Sequence, residues 1–398
     1  MKTKQEHPAI ELHKKYQGKI EMKACFPVSD KNILSLVYTP GVAEVSKAVQ
    51  IDHSRSFELT SRGRTIAVIS DGSAVLGLGN IGPEASFPVM EGKAMLLKEF
   101  GGVDAVPLVL STQNPTEIIQ AVKMLAPTFA GILLEDISAP RCFQIEESLQ
   151  NIGIPVFHDD QHGTAIVVSA ALRNASQVVQ KRFEDLRVVV VGAGAAGLAV
   201  SRMLLGLHCE ESFCERVTGA RSVFDVIVVD KKGALYAGRE GQNIYKQAIA
   251  GVSNKEKKKG LLHEVIKGAD VIIGLSRPGL ITQEMIKSMS KKSIVFAMAN
   301  PTPEIMPEEA KNAGAYVVAT GRSDLPNQIN NLLAFPGIFR AVIQGRLPSI
   351  SIRMQEKASE VLAELVEHPS REHIIPDPFF PHLSQKVAEG ILNLNPTG

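Results

Sequence analysis

The sequence has no run approaching the roughly 18 consecutive apolar residues that a membrane span requires, so no membrane association is expected. Its amino terminus, MKTKQEHP, lacks an apolar segment behind the charges, which argues against a secretory leader. A cytoplasmic location is the expectation that follows. Charge of one sign is lacking too. There are 43 basic side chains against 42 acidic ones, which argues against nucleic acid or another polyanion as the main partner. Cysteine is scarce: Cys25, Cys142, Cys209 and Cys214 are scattered through a large chain and read as reduced thiols. Cys209 and Cys214 make half a zinc site at most, because no second pair or His-x-x-x-His stands nearby to complete it. Internal repeats and long low-complexity segments are absent as well.

What is present is an ordinary globular composition in a chain of 398 residues, long enough for two domains. Short apolar runs alternate with helical stretches, the pattern of parallel-sheet α/β domains. Strands are expected at 65–70 (TIAVIS), 105–110 (AVPLVL), 131–134 (GILL) and 155–158 (PVFH), with helices around 84–100, 115–125 and 141–151. A second series runs 187–191 (RVVVV), 225–229 (DVIVV), 270–273 (DVII), 293–297 (SIVFA) and 316–318 (YVV). Uninterrupted runs of this kind suit a sheet covered on both faces. The fold class is therefore α/β with two domains: an N-terminal parallel-sheet domain over 1–162 and a C-terminal Rossmann-type dinucleotide-binding domain over 163–398. The last part of the chain is Pro-rich at 375–381, then helical, and is expected to pack back on the body.

Residues 192–197 (GAGAAG) fit G-x-G-x-x-G. Alone the pattern is weak, but here it follows a strong strand and opens a helix-like stretch, 198–207. Gly192 makes the turn, Gly194 lets a pyrophosphate approach the backbone, and Gly197 lets helix and strand pack closely. Ala195 and Ala196 stand where the helix amino terminus offers free N–H groups. Asp230 ends the next strand, where an acid bonds ribose hydroxyls and favours NAD. It falls later than the usual spacing because 208–224 reads as a long connection. Lys231 and Lys232 follow and suit a 2′-phosphate, so NADP stays open beside NAD. Residues 274–279 (GLSRPG) look like a second loop at the same sheet edge.

Two acidic pairs stand at strand ends, Glu135-Asp136 and Asp159-Asp160. Carboxylates gathered there repel one another unless a cation sits among them, and oxygen ligands suit Mg²⁺ or Mn²⁺. The bland alternative for each pair is a cap or a surface turn. Lys93 lies among apolar residues on an expected helix. Near a cation or partly buried it would have a lowered pKa and act as a base; the bland alternative is a snorkelling surface lysine. Tyr38 is held by the Pro40-Gly41 turn, and a packing role is its alternative.

Taken together, these segments resemble the malic enzyme family in its short prokaryotic form. They are YTPGVA at 38–43, SDGSAVLGLGNIGP at 70–83, PVMEGKAMLL at 88–97, LEDIS at 134–138, FHDDQHGTA at 157–165, VGAGAAG at 191–197, ANPTP at 299–303 and NQINNLLAFPGIF at 327–339. The resemblance implies metal-dependent oxidative decarboxylation of (S)-malate to pyruvate and CO₂ with reduction of NAD or NADP. It puts Tyr38 in the place of the family's tyrosine acid and Lys93 in that of its lysine base. Glu135, Asp136 and Asp160 fall at the metal-ligand positions, with Asp159 beside them as a partner of Lys93. Asn300 and Asn331 fall where the family contacts substrate near the nicotinamide. A homo-oligomer, a dimer in the first instance, is expected for an enzyme of this size and type. One departure stands out: the longer eukaryotic-type pattern has a carboxylate-binding arginine where this chain has Ala74. Loop amides at 72–82, or an arginine from elsewhere, are left to anchor the substrate's 4-carboxylate. Three other functions compete: a malolactic conversion with bound NAD, a silent dinucleotide-binding protein, and a metal-free 2-hydroxy acid dehydrogenase using His158 or His162.

Overall fold

Apolar and β-branched runs form parallel strands with little exposed surface, because in such sheets both faces are covered. In the first half of the computed structural model these are β1 (Thr65–Ser70), β2 (Asp104–Val109), β3 (Gly131–Leu134) and β4 (Val156–His158). They pair in the order β2-β1-β3-β4, all parallel. The structure describes residues 6–75, 77–210 and 213–394. Leu76 of the 70–83 motif and residues 211–212 of the 208–224 connection lie outside the described residues, as do the chain's first five and last four positions.

The helix Pro83–Gly101 covers one face of this sheet. Proline at its start leaves no unpaired N–H, and Gly102, at φ 69°, closes it in the left-handed region. Its buried positions include Met90, Lys93, Ala94 and Leu97, the i, i+3, i+4, i+7 stripe of a core-facing helix. Burying Met90 and Leu97 stabilises by about 1.5–3 kcal/mol each. Helix register, not its own chemistry, carries Lys93 inside.

The second half contains β5 (Arg187–Val191), β6 (Leu207–Glu210), β7 (Phe213–Arg216), β8 (Asp225–Asp230), β9 (Gly233–Ala234), β10 (Val271–Gly274), β11 (Ile294–Ala297) and β12 (Val317–Thr320). Six of them form a sheet in the order β12-β11-β10-β5-β8-β9, parallel except for the short return strand β9. The strand order reverses at β5, between β10 and β8. Open α/β sheets bind ligands in the crevice at such a switch point. The loops after β5 and β10 meet there, with the Leu275 N–H donating to the Val191 carbonyl at 2.8 Å. The helix Thr164–Val178, with most of its residues buried, leads from the first sheet to the second. The tail ends in Leu383–Leu392, which buries Leu383, Val387, Ala388 and Ile391 against the body. No helix among the described residues is long and apolar enough to cross a membrane.

Two expectations need correction. The connection over 208–224 is not featureless: β6 and β7 form an antiparallel hairpin in which Cys209 pairs with Cys214. Direct cross-strand register brings the two sulfurs together, and they form a disulfide and not a pair of free thiols. Cys25 and Cys142 are free. The helix after the glycine-rich loop spans Ala195–Leu204, not 198–207, because the alanines of the loop already belong to its first turn and Leu207 opens β6.

The first described helices, Pro8–Tyr16, Lys31–Val37 and Val42–Ile51, bury no residue at all. Ile10, Leu12, Leu34, Leu36, Val42, Val45 and Ile51 are all exposed on them.

Candidate active site

Because β3 pairs with β4 through Leu134 and His158, the two acidic pairs emerge side by side at the carboxyl edge of the sheet. Asp136 takes φ 55°, a left-handed conformation that aspartate tolerates better than most residues. Its N–H donates to Asp160 Oδ2 at 2.9 Å. The carboxylates of Glu135, Asp136 and Asp160 each offer an oxygen, all within 4.8 Å of one another. Burial and the surrounding acids push the Glu135 carboxyl well above its ordinary range and Asp136 up to about 8. Glu135 Oε2 and Asp136 Oδ2 are buried without a hydrogen-bond partner. Orphaned buried oxygens in a cluster of like charges fit a hard divalent cation.

Lys93 reaches this cluster from its helix. Its Nζ lies 2.6 Å from Asp159 Oδ2 and 2.8 Å from Glu135 Oε1, and 4.5 Å from the centre of the Phe335 ring. The sequence led us to expect a lowered pKa. Burial does act in that direction, but Asp159 and Glu135 outweigh it and the lysine is held well above its ordinary value. Asp159 is fully buried. Gly163 is required beside it, since an added Cβ would lie 1.9 Å from Asp159 Oδ1 and 3.1 Å from Asn331 Cβ. Asn331 is thereby at the site. Asn300 is reached from another side: a Cβ on Gly77 would come within 2.7 Å of the Asn300 carbonyl oxygen, and one on Gly321 within 2.7 Å of Asn300 Nδ2. Loop 72–82 starts at the carboxylates, where the Ala74 N–H donates to the Asp136 carbonyl at 2.9 Å.

The turn carrying Asp159 and Asp160 is held by a residue that sequence reasoning passed over. Glu146, buried on the helix Arg141–Leu149, accepts from the His158 N–H at 2.9 Å and Gln161 Nε2 at 2.8 Å, and pairs with His162 Nε2 at 2.9 Å. The His158 ring is buried with both nitrogens unpartnered, and its Nδ1 is 3.7 Å from Asp160 Oδ2.

The dinucleotide loop has the geometry its glycines suggest. A Cβ on Gly192 would strike the Leu275 carbonyl, and one on Gly197 the Gly192 carbonyl, whereas Gly194 faces open space. The helix Ala195–Leu204 starts without a side-chain cap, so the N–H groups of Ala195, Ala196 and Gly197 are free for an anion. Asp230 stands at the end of β8 with its carboxylate already engaged. Arg239 donates to both oxygens at 2.9 and 2.6 Å, Lys246 Nζ at 2.8 Å and the Lys232 N–H at 2.9 Å. Burial opposes ionisation there, but these donors prevail and hold the carboxyl well below its ordinary range. Arg239 and Lys246 carried no local motif that marks them.

Among the described residues Tyr38 has no hydrogen bond to this cluster. It caps the helix Lys31–Val37 and is 67% exposed. Before it, Cys25 Sγ meets Arg64 Nη2 at 3.1 Å; after it, the chain returns through Arg64 into β1. Cys25 and Arg64 therefore lie at the amino edge of the sheet. The carboxylates lie at the other edge, about 20 Å away along a six-residue strand.

Comparison with known proteins points to one family. Residues 17–118 match the family described as malic enzyme, N-terminal domain, and residues 161–393 match malic enzyme, NAD binding domain. The chain is 49% identical to the bifunctional malic/malolactic enzyme of Bacillus subtilis, covering 96% of this chain and 91% of that one. It is also 49% identical to the NAD-dependent malic enzyme of Geobacillus stearothermophilus, over 94% of this chain and 76% of that one. The crystal structure of the NAD-dependent malic enzyme from Thermotoga maritima superposes with a TM-score of 0.90 at 45% identity, covering 98% of this chain and all of that one.

Proposed function

This chain belongs to the malic enzyme family, and on that premise we propose that it converts (S)-malate to pyruvate and CO₂ with reduction of NAD(P) at the site around Lys93. The observation that carries the proposal is the placement of Lys93 Nζ between Asp159 and Glu135, at the rim of a three-carboxylate cluster with orphaned oxygens. Glu135, Asp136 and Asp160 would hold Mg²⁺ or Mn²⁺, which supplies Lewis acidity toward the substrate hydroxyl and the enolate oxygen. Gly192, Gly194 and Gly197, with the N–H groups of Ala195 and Ala196, would hold the pyrophosphate of NAD(P), which would supply the hydride acceptor for C2.

The chain's own groups handle protons and orientation. Lys93, held as an ammonium by its two carboxylates, first passes a proton to Asp159 Oδ2 at 2.6 Å, and the amine so freed receives the C2 hydroxyl proton. Asn331, packed at Gly163 beside Asp159, and Asn300, on the wall facing loop 72–82, orient the substrate toward the nicotinamide. Asp230 supports NAD, while the Arg239 and Lys246 cations around it support acceptance of a 2′-phosphate. Turnover with both dinucleotides is part of the proposal, as is a cytoplasmic location.

The acid at C3 is Tyr38, supplied by a second copy of the chain in a homodimer. Tyr38 is 67% exposed, and the helices flanking it expose an apolar surface that a partner would cover.

An initial-rate assay with malate, comparing NAD with NADP in the presence and absence of Mn²⁺, tests the reaction. Free reduced cofactor and pyruvate are expected. Oxaloacetate accumulating without CO₂ overturns the proposal, and lactate without free reduced cofactor points to the malolactic reaction instead.

A further inference from the structure

Malate has two carboxylates, and among the described residues the cluster above offers no unpaired cation for the second, since Arg141 beside it is paired with Asp71 at 3.1 Å. Lys93 is the cation at that cluster, and its charge is already shared by Asp159 and Glu135. Given the reaction proposed above, we infer that Arg322 is the receptor for the substrate's distal carboxylate, the one lost as CO₂.

Arg322 stands in an open cleft of about 690 Å³ lined by Gly77, Leu78, Asn300, Gln328 and Asn330, and among the described residues no other that lines this cleft carries a positive charge. That volume suits a small substrate beside a nicotinamide ring. The cleft wall runs on from the carboxylates. Loop 72–82 leaves them at Ala74, packs on Asn300 through Gly77, and Asn300 in turn abuts Gly321, the residue before Arg322. Ala74 itself offers no charge.

The guanidinium is already set up for a carboxylate. Its Nη1 donates to the Pro301 carbonyl at 3.2 Å, which fixes the plane of the group. Its Nε and Nη2 donate in parallel to Asp324 Oδ1 and Oδ2 at 2.8 and 2.6 Å. This is the two-pronged geometry by which arginine recognises carboxylates, and which lysine does not reproduce. Asp324 is 60% exposed on its side chain. It therefore leaves the fork for water at little cost, acting as a stand-in that a substrate carboxylate displaces.

The role fits the electron balance of the reaction. When the C3–C4 bond breaks, its electron pair stays on C3 and the carboxylate departs as neutral CO₂. The ion pair with Arg322 disappears with the charge, and Asp324 returns to the fork. An interaction present in the bound substrate and not strengthened at the transition state acts on KM and leaves kcat nearly alone.

The test is steady-state kinetics on the full chain with saturating Mn²⁺ and cofactor. Arg322→Ala is expected to raise the KM for malate about 10²-fold with kcat within about threefold, and Arg322→Lys to fall between. Asp324→Asn empties the fork and is expected to lower that KM a few-fold. Inhibition by pyruvate, which has no distal carboxylate, is expected to stay unchanged in all three. An unchanged malate KM in Arg322→Ala overturns the assignment. So do KM shifts of the same sign in the Arg322 and Asp324 variants, which mark a merely structural pair, and so does a parallel loss of pyruvate inhibition. Failure of the wild type to oxidise malate would instead overturn the proposed function.

Discussion

The Glu146 carboxylate accepts the backbone N–H of His158 at 2.9 Å, and so fixes the point where β4 turns into the segment bearing Asp159 and Asp160. The same carboxylate takes Gln161 and His162, so one buried acid ties three points of a five-residue turn. Removing it leaves a buried N–H and a buried amide without an acceptor. Glu146→Ala is expected to destabilise the chain by about 2–4 kcal/mol and to weaken Mn²⁺ binding, because Asp160 is no longer fixed. Glu146→Gln keeps an acceptor for the His158 N–H, so it is expected to cost about 1 kcal/mol. Thermal melts and Mn²⁺ titrations of the two variants check this. Equal Mn²⁺ affinity in wild type and Glu146→Ala would remove its positioning role.

How much of this was legible in the sequence depends on what each signal encodes. Strand runs such as TIAVIS and GILL came out at the expected positions, because a buried parallel strand needs nothing beyond a continuous apolar run. The acidic pairs were legible because strand ends are where parallel sheets present side chains. Lys93 and Glu146 show the limit. Each occupies an interior place in a helical stripe, Met90-Lys93-Ala94-Leu97 and Cys142-Ile145-Glu146-Leu149, so the same spacing that marks a core residue marks a buried charge. Lys93 drew attention through its family motif, whereas Glu146 had no motif to raise it above a solvated acid. The lysine's raised pKa was not legible at all, because it depends on distances to two carboxylates distant in sequence. The Cys209–Cys214 bond was missed because it needs the hairpin register, which scattered cysteines do not announce.

Asp270 makes stability depend on pH. It receives Lys181, Ser290 Oγ at 2.7 Å and the Arg187 N–H at 2.9 Å, tying the linker before β5 to the start of β10. Burial raises its pKa, but these donors outweigh it and the carboxyl is held below its ordinary value. A depressed folded-state pKa contributes stability above the unfolded value, and that contribution is lost as pH falls through the folded one. The contribution is therefore complete at neutral pH and disappears in the acid range below the ordinary aspartate pKa. Asp270→Asn is expected to cost about 1–3 kcal/mol at pH 7 and to flatten the decline in acid. Urea unfolding from pH 3 to 7 measures both, and a mutant curve parallel to the wild type would contradict the assignment.

Crowded carboxylates give metal removal a clear sign. With Glu135 Oε2 and Asp136 Oδ2 buried and unpartnered, a cation that binds the folded chain stabilises it by mass action, about 2.7 kcal/mol at a hundred times its Kd. Adding Mn²⁺ is expected to raise the melting temperature of wild type, and Asp136→Asn is expected to blunt that rise. EDTA is expected to abolish malate turnover, and activity retained in EDTA would favour a metal-free dehydrogenase.

The contrast between an exposed Tyr38 and a buried Lys93 gives the sharpest test of assembly. If each site draws its lysine from one chain and its tyrosine from the other, Tyr38→Phe and Lys93→Ala homodimers each have two damaged sites. A mixed dimer then has one site with both substitutions and one with neither. Unfolding and refolding an equimolar mixture is therefore expected to restore about a quarter of wild-type activity, since half of a random population is mixed and each mixed dimer has one intact site. If both residues came from the same chain, every site in the mixture would keep one lesion and nothing would be restored. Light scattering on the same samples measures the dimer directly. Substituting exposed apolar residues of the amino-terminal helices, such as Leu36 and Val45, with glutamate is expected to yield monomers that bind NAD(P) through the Gly192, Gly194 and Gly197 loop. Because that loop is complete within one chain while the acid is not, such monomers should retain cofactor affinity and lose malate turnover. Monomers that turn over malate at the wild-type rate would show that Tyr38 is not needed across the interface.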